Sequence, residues 1–159
     1  MALEEFTLPL ADAMKTQFLT TTAAARHTIK KGTGVILAIT ASPSRLAIPN
    51  SGSFGVACAA IEGLRRQLAG ELGPQGIRVI CLRSAGSPDA PGLDEVFRQL
   101  AEQAGISREA FEAGVAERTL LKRLPKLAEV AAVAVLMASD RASAMIGTVA
   151  NVTCGETVD

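Results

Sequence analysis

Two short apolar runs, Val35-Ile36-Leu37-Ala38-Ile39-Thr40 and Ile77-Arg78-Val79-Ile80-Cys81-Leu82, limit the possible folds of this chain more than any other feature. Each is too short for a buried helix and too continuously apolar for a strand with one wet face, so each reads as a parallel strand covered on both sides. Gly34 opens the first run, and the turn Gly73-Pro74-Gln75-Gly76 precedes the second. A weaker third strand is predicted over Ile146-Gly147-Thr148-Val149-Ala150-Asn151-Val152.

Helical spacing fills the intervals. Leu10, Met14, Phe18 and Leu19 predict a helix over 9–30 that stops at Lys30-Lys31-Gly32. Val56, Ala60, Leu64 and Leu68 predict a second over 54–71. Two amphipathic stretches follow at 93–104 and 108–118, with Ser107 as N-cap of the latter, and Pro125 introduces a last helix through 138. The segments 41–53 and 83–92 have loop chemistry. Helices alternating with buried strands imply parallel neighbours joined by right-handed crossovers, so the chain reads as one α/β domain over 1–159, a three-layer α/β/α arrangement with helices on both faces of a parallel sheet. Ligands are expected beyond the strand C-terminal ends, at 40–49, 83–91 and 153–155.

Sixteen Lys plus Arg balance sixteen Asp plus Glu, which excludes the basic footprint of a nucleic-acid binder. With five Phe, no Trp and no Tyr, the core rests on aliphatic residues and tyrosine chemistry is excluded. Cys58, Cys81 and Cys154 are odd in number and widely spaced, which suits neither a zinc site nor a disulfide framework; no metal is expected, and a reduced, cytoplasmic setting is. The N-terminal residues are acidic where a secretory signal is basic, and no apolar run spans a bilayer, so neither secretion nor a membrane partner is expected.

Three segments, FLTTTAAARHTIKKGTGVILAIT from Phe18, LAGELGPQGIRVICL from Leu68 and RLPKLAEVAAVAVLMASDRAS from Arg123, occur in an order that resembles the C-terminal half of the short-chain dehydrogenase/reductase family. The resemblance covers nearly the whole chain and implies a partial Rossmann-type sheet and a relationship to enzymes that reduce carbonyls or oxidise alcohols with NAD or NADP. It departs from the family at the cofactor half, because Gly32-Thr33-Gly34 leads into a strand and not into a helix N-terminus that could cradle pyrophosphate. No cofactor is expected for the isolated chain; NAD or NADP is expected only if a longer chain or a partner completes the site.

The catalytic positions implied by the resemblance are altered. Ala41 stands where the family places its Ser, with Ser42 the nearest hydroxyl, and Phe54-Gly55-Val56-Ala57-Cys58 stands for Tyr-x-x-x-Lys. Ala13 matches the family's relay Asn, Ser84-Ala85-Gly86 its Pro-Gly nicotinamide loop, and Val152-Thr153-Cys154-Gly155 its Val-Asp-Gly-Gly. Phenylalanine has no dissociable proton to offer a developing alkoxide. The expectation is a non-catalytic relative, a pseudoenzyme that forms a homo-oligomer or joins a related dehydrogenase subunit. The small residues Ala23, Ala24, Ala25, Ala57, Ala59 and Ala60 lie on helices that the family packs between subunits. Two alternatives are a truncated portion of an NAD(P)-dependent oxidoreductase that begins upstream, and an enzyme of another class using Cys58 or the serine loop.

Plainer readings stand beside these. His27 sits near the end of the first helix, where it caps carbonyls or meets solvent, so Cys58 has no evident base. Cys81 reads as a small core hydrophobe and Cys154 as accessible. Ser42, Ser44, Ser51 and Ser53 satisfy turns and caps, while Arg65, Arg66 and Arg78 serve solvation or ion pairs.

Overall fold

A computed structural model describes residues 1–158. The elements run α1 (Leu3–Thr28), β1 (Gly34–Ala41), α2 (Phe54–Leu72), β2 (Ile77–Ser84), α3 (Pro91–Ala104), α4 (Arg108–Glu117), α5 (Leu127–Ala138) and β3 (Val149–Val152). The strands form one sheet of order β1-β2-β3, parallel throughout, with Gly34 opposite Ile77, Ala41 opposite Ser84 and Cys81 opposite Val149. This is the α/β architecture expected from the two apolar runs.

The central strand shows why the run from Val79 to Leu82 is apolar without a break: Ile77, Val79, Ile80, Cys81 and Leu82 are each 0% exposed, because alternate side chains enter cores on opposite faces. On one face Ile77 and Val79 join Ala25 of α1 with Ala69 and Leu72 of α2; on the other, Ile80 packs with Met137 of α5 and Ala142. A separate cluster of Phe97, Val115 and Leu124 holds α3 and α4 together, with the Phe97 and Phe111 rings edge to face at 5.4 Å.

Several boundaries differ from the sequence reading; β1 runs through Ala41 and α3 starts at Pro91, both read as loop, and four others have a clear physical cause. α1 starts at Leu3, so Pro9 lies inside it. The proline removes one interior bond, and the helix extends past it because Glu4 and Glu5 favour the positive end of its dipole and the Glu5 carboxylate accepts the Ala2 N–H at 2.7 Å. α5 begins at Leu127, two residues after Pro125, with the Leu127 N–H held by Asp89 Oδ1 at 2.9 Å. β3 is confined to Val149–Val152. Gly147, at φ +67°, breaks the extended backbone while its N–H still reaches the Val79 carbonyl at 2.8 Å. β2 runs through Arg83, which the sequence reading put in a loop.

The arginines read as solvated or ion-paired do structural work instead. Arg78 donates to the carbonyls of Met137, Ser139 and Ala142 at 2.8, 3.0 and 3.0 Å, tying the end of α5 to the sheet. Arg65 is buried and donates to Thr21 Oγ1 at 2.5 Å and to Gln17, which ties α2 to α1. Ser107 caps α4 as read, accepting the Ala110 N–H at 3.1 Å. Gly76 holds a close approach: at φ +78°, a Cβ there would lie 2.1 Å from the Gly32 carbonyl oxygen. Only glycine lets the turns that precede β1 and β2 touch.

Candidate functional site

Parallel strands leave a crevice beyond their C-terminal ends, and here Ala41 and Ser84 lie side by side at that rim. From Ala41 the chain enters a tight turn at Ser42-Pro43-Ser44, and two left-handed residues, Asn50 (φ 62°) and Gly52 (φ 56°), then swing it into the N-terminus of α2. The first turns of α2 and the first half of α1 thus face the end of β1. Ala13, Ala41, Phe54 and Cys58 all line one cavity of about 620 Å³ between them. Phe54 is 54% exposed there, and Cys58 is buried.

Ser42, Ala85 and Gly86 line a second cavity of about 340 Å³ on the other side of Phe54. Ser84 is buried and accepts the Gly86 N–H at 3.2 Å, so its hydroxyl braces the loop. Ser44 donates to Glu62 Oε1 at 2.7 Å. Of the residues brought together at the first cavity from the altered motif, Cys58 alone carries an ionisable group. Burial pushes its thiol above the ordinary cysteine range; a backbone hydrogen bond from Ala41 acts the other way, and the nearby Glu62 charge adds to the rise. A thiol held neutral is a poor nucleophile, and His27 lies exposed in the last turn of α1. Cys81 is fully buried and Cys154 half-buried. Among the described residues no three His, Cys, Asp or Glu gather where a metal ion could be held, and no helix is long and apolar enough to cross a membrane.

Sequence reasoning missed the polar centre beneath the crevice. Arg83, 1% exposed, donates through Nε to Glu62 Oε1 at 3.0 Å and through Nη2 to Glu62 Oε2 at 2.9 Å. Thr40 and Ser44 donate to the same Oε1 at 3.0 and 2.7 Å. Burial pushes the Glu62 carboxyl up, but the hydrogen bonds from Arg83, Ser44 and Thr40 and the Arg83 charge outweigh it, leaving the carboxyl below its ordinary range. Together these four residues lock the ends of β1 and β2 to α2. The signal for them was present, since Glu62 falls between buried Ile61 and Arg65 on α2, and Arg83 prolongs an apolar strand.

A dinucleotide's pyrophosphate is held at a glycine-rich turn that opens a helix. Among the described residues no strand runs through a glycine-rich turn into a helix N-terminus: β1 leads into the Ser42–Ser44 turn and β2 into Ser84-Ala85-Gly86. Pyrophosphate would therefore lack the fan of backbone N–H groups that replaces its hydration. Cys58 has no cation to offer a ribose or a neighbouring acid.

The family model described as enoyl-(acyl carrier protein) reductase matches residues 1–157. An uncharacterized oxidoreductase of Thermotoga maritima is 30% identical over 156 residues, which are 97% of this chain and 59% of that protein. A peroxisomal 2,4-dienoyl-CoA reductase of Saccharomyces cerevisiae is 33% identical over 121 residues, 76% of this chain and 38% of its own. Sorbitol-6-phosphate 2-dehydrogenase from Erwinia amylovora superposes with a TM-score of 0.91 at 27% identity, over 100% of this chain and 62% of that one. A gluconate 5-dehydrogenase from Burkholderia cenocepacia, in complex with NADP and tartrate, shares the fold at a TM-score of 0.83 and 23% identity, over 98% of this chain and 57% of its own. The chain spans less than two thirds of the length of each. With the parallel sheet, the crevice at its C-terminal rim and a match through nearly every residue, the chain belongs to the short-chain dehydrogenase/reductase family.

Proposed function

We propose that this chain is a non-catalytic, oligomer-forming member of the family, a binding subunit whose own side chains do not run hydride chemistry. One observation carries the reading: the cavity at the end of β1 is lined by Ala13, Ala41, Phe54 and Cys58, at the positions where the family pattern has Asn, Ser, Tyr and Lys. Carbonyl reduction needs a proton for the developing alkoxide, and neither a methyl nor a phenyl group supplies one. A missing general acid alone costs roughly 10²–10⁴ in rate, and a missing oxyanion donor roughly 10²–10³ more.

Exposed apolar residues on the paired helices support a partner, either a second copy or a related dehydrogenase subunit. On α1, Phe18 is 58% exposed and Leu19 63%, and Val56 on α2 is 47% exposed. The exposed Ala23, Ala24 and Ala59 allow close approach. Three free cysteines suit a reducing compartment such as the cytoplasm.

The test is a titration of the purified chain with NADH and NADPH, followed by fluorescence and thermal shift alongside mass by light scattering. The expected result is a stable dimer or larger assembly without saturable nucleotide binding. Saturable micromolar binding with turnover of any carbonyl would overturn the reading.

A second reading, a portion of a longer NAD(P)-dependent oxidoreductase, is favoured by the free edge of β1. That strand has one partner among the described residues, and its Ile39 is 63% exposed, which invites pairing by a further strand. Expression from an extended upstream reading frame separates the two: one NADPH bound per longer chain would select the second reading.

A further inference from the structure

A third cavity, of about 710 Å³, opens between the end of β3, the start of α5 and the loop that precedes α5. It shares no lining residue with the two cavities beside Phe54. Leu120, Leu121 and Val158 form an apolar rim, at 71%, 61% and 78% exposed, and Val133 of α5 is a half-buried part of its wall. The cavity's two charged lining residues, Arg123 and Glu129, are paired with each other at 2.7 Å, so a charged ligand would meet no free counter-charge.

Two groups in this lining carry chemistry that the fold does not use. Cys154 is half-buried, whereas Cys58 and Cys81 are buried. It stands at φ +54°, a conformation uncommon outside glycine, and its carbonyl accepts the Leu121 N–H at 3.1 Å, which ties its turn to the loop before α5. Thr157 is 5% exposed, and its Oγ1 has no hydrogen-bond partner among the described residues. The backbone of the same residue is fully engaged: its N–H donates to Thr153 Oγ1 at 3.2 Å and its carbonyl accepts from Asn151 Nδ2 at 2.8 Å. A buried hydroxyl left in this way keeps a donor that a ligand's oxygen can use.

We propose that this cavity takes an uncharged α,β-unsaturated carbonyl compound with an apolar tail, which Cys154 captures covalently while Thr157 holds its oxygen. The inference goes beyond the binding-subunit reading and does not rest on it. The step is a conjugate addition: the Cys154 sulfur bonds to the β-carbon, the carbon–carbon double bond becomes single, and the thiol's proton ends on the α-carbon. It needs no oxidant, reductant or leaving group. Negative charge develops on the carbonyl oxygen as the new bond forms, and a donor placed there stabilises it. Burial pushes the Cys154 thiol above the ordinary cysteine range; the Arg123 charge acts the other way, and the Glu129 charge adds to the rise. The thiol is therefore neutral at pH 7, and its addition depends on an acceptor that is already polarised.

The test uses the full chain with 3-nonen-2-one, its saturated analogue 2-nonanone and glutathione disulfide, read by intact mass and peptide mapping. One enone is expected per chain, at Cys154, with a rate that saturates as the enone concentration rises and increases from pH 7 to pH 9. The saturated ketone is expected to form no adduct and to slow the enone by competition, and the charged disulfide to react more slowly than the enone. Thr157→Val, nearly isosteric, is expected to slow the enone roughly tenfold, the loss of one hydrogen bond to the developing charge. Alkylation of Cys154 by iodoethane, which has no oxygen to polarise, is expected to be unchanged in that variant. Leu121→Ser, at an exposed position, is expected to raise the half-saturating enone concentration severalfold without lowering the melting temperature. Reaction first at Cys58 or Cys81, a rate that stays linear in enone, faster reaction of the disulfide, or equal enone rates in wild type and Thr157→Val would each overturn the proposal.

Discussion

Two regions one helical turn apart on α2 treat polar groups in opposite ways. Around Glu62, four donor bonds from Thr40, Ser44 and Arg83 converge on one buried carboxylate. Around Cys58 and Phe54, the cavity wall is methyl, phenyl and a neutral thiol. The first group holds loops to the sheet, and losing Glu62 takes away the carboxylate that buried Arg83 is paired with. The second holds nothing: Phe54 is half exposed, and Ala13 and Ala41 leave no partner unsatisfied. The difference teaches that the fold constrains the ends of β1 and β2 strictly while leaving the crevice above them free to change its chemistry.

The contrast breaks most readily at Glu62. Glu62→Ala is expected to cost about 3–5 kcal/mol, since it removes the carboxylate that buried Arg83 is paired with at 2.9 Å, and to lower the melting temperature by roughly 10 °C in a chain of this size. Thermal unfolding measures it, and a loss below about 1 kcal/mol would erase the distinction between the two regions. Replacing both partners, Glu62→Met with Arg83→Met, should recover much of that loss.

On the other side, Cys58→Lys restores the family's cation at a position that is 4% exposed and is expected to destabilise by about 1–3 kcal/mol through overpacking and burial of charge. An unchanged unfolding midpoint in urea would mean that the crevice still accommodates its old chemistry.

Acid gives a graded effect. Because the folded Glu62 carboxyl lies below its unfolded value of 4.5, its contribution is complete above that pH and is lost as the pH falls through the folded value. Wild type is therefore expected to lose more stability than Glu62→Gln between pH 6 and acid; parallel curves would remove the carboxylate's role. The smallest effect belongs to Phe54→Tyr, expected within about 0.5 kcal/mol of wild type and without NADPH-dependent carbonyl reduction, a readout that appearance of activity would reverse.

Much of this arrangement was legible beforehand. The apolar runs located β1 and β2, the spacing of Val56, Ala60, Leu64 and Leu68 located α2, and Ser107 marked the start of α4. The family resemblance singled out Ala13, Ala41, Phe54 and Cys58, and the fold sets all four on one cavity. Arg83 was misread because a charged residue after an apolar run looks like the start of a loop; its partner lies 21 residues away on another element. The start of α1 was misplaced because Pro9 is a helix-entry signal, and its accommodation inside the helix depends on a carboxylate cap upstream.

By itself the sequence determined the alternation of buried strands and helices and the absence of a tyrosine acid, since hydrophobic period and residue type are local properties. Only the tertiary structure decided that Glu62 and Arg83 meet, that Ser42 is left without a partner, and that α3 and α4 close an apolar cavity beside it. Those outcomes depend on the parallel register of β1 against β2 and on how the helices pack over it, which no local pattern encodes.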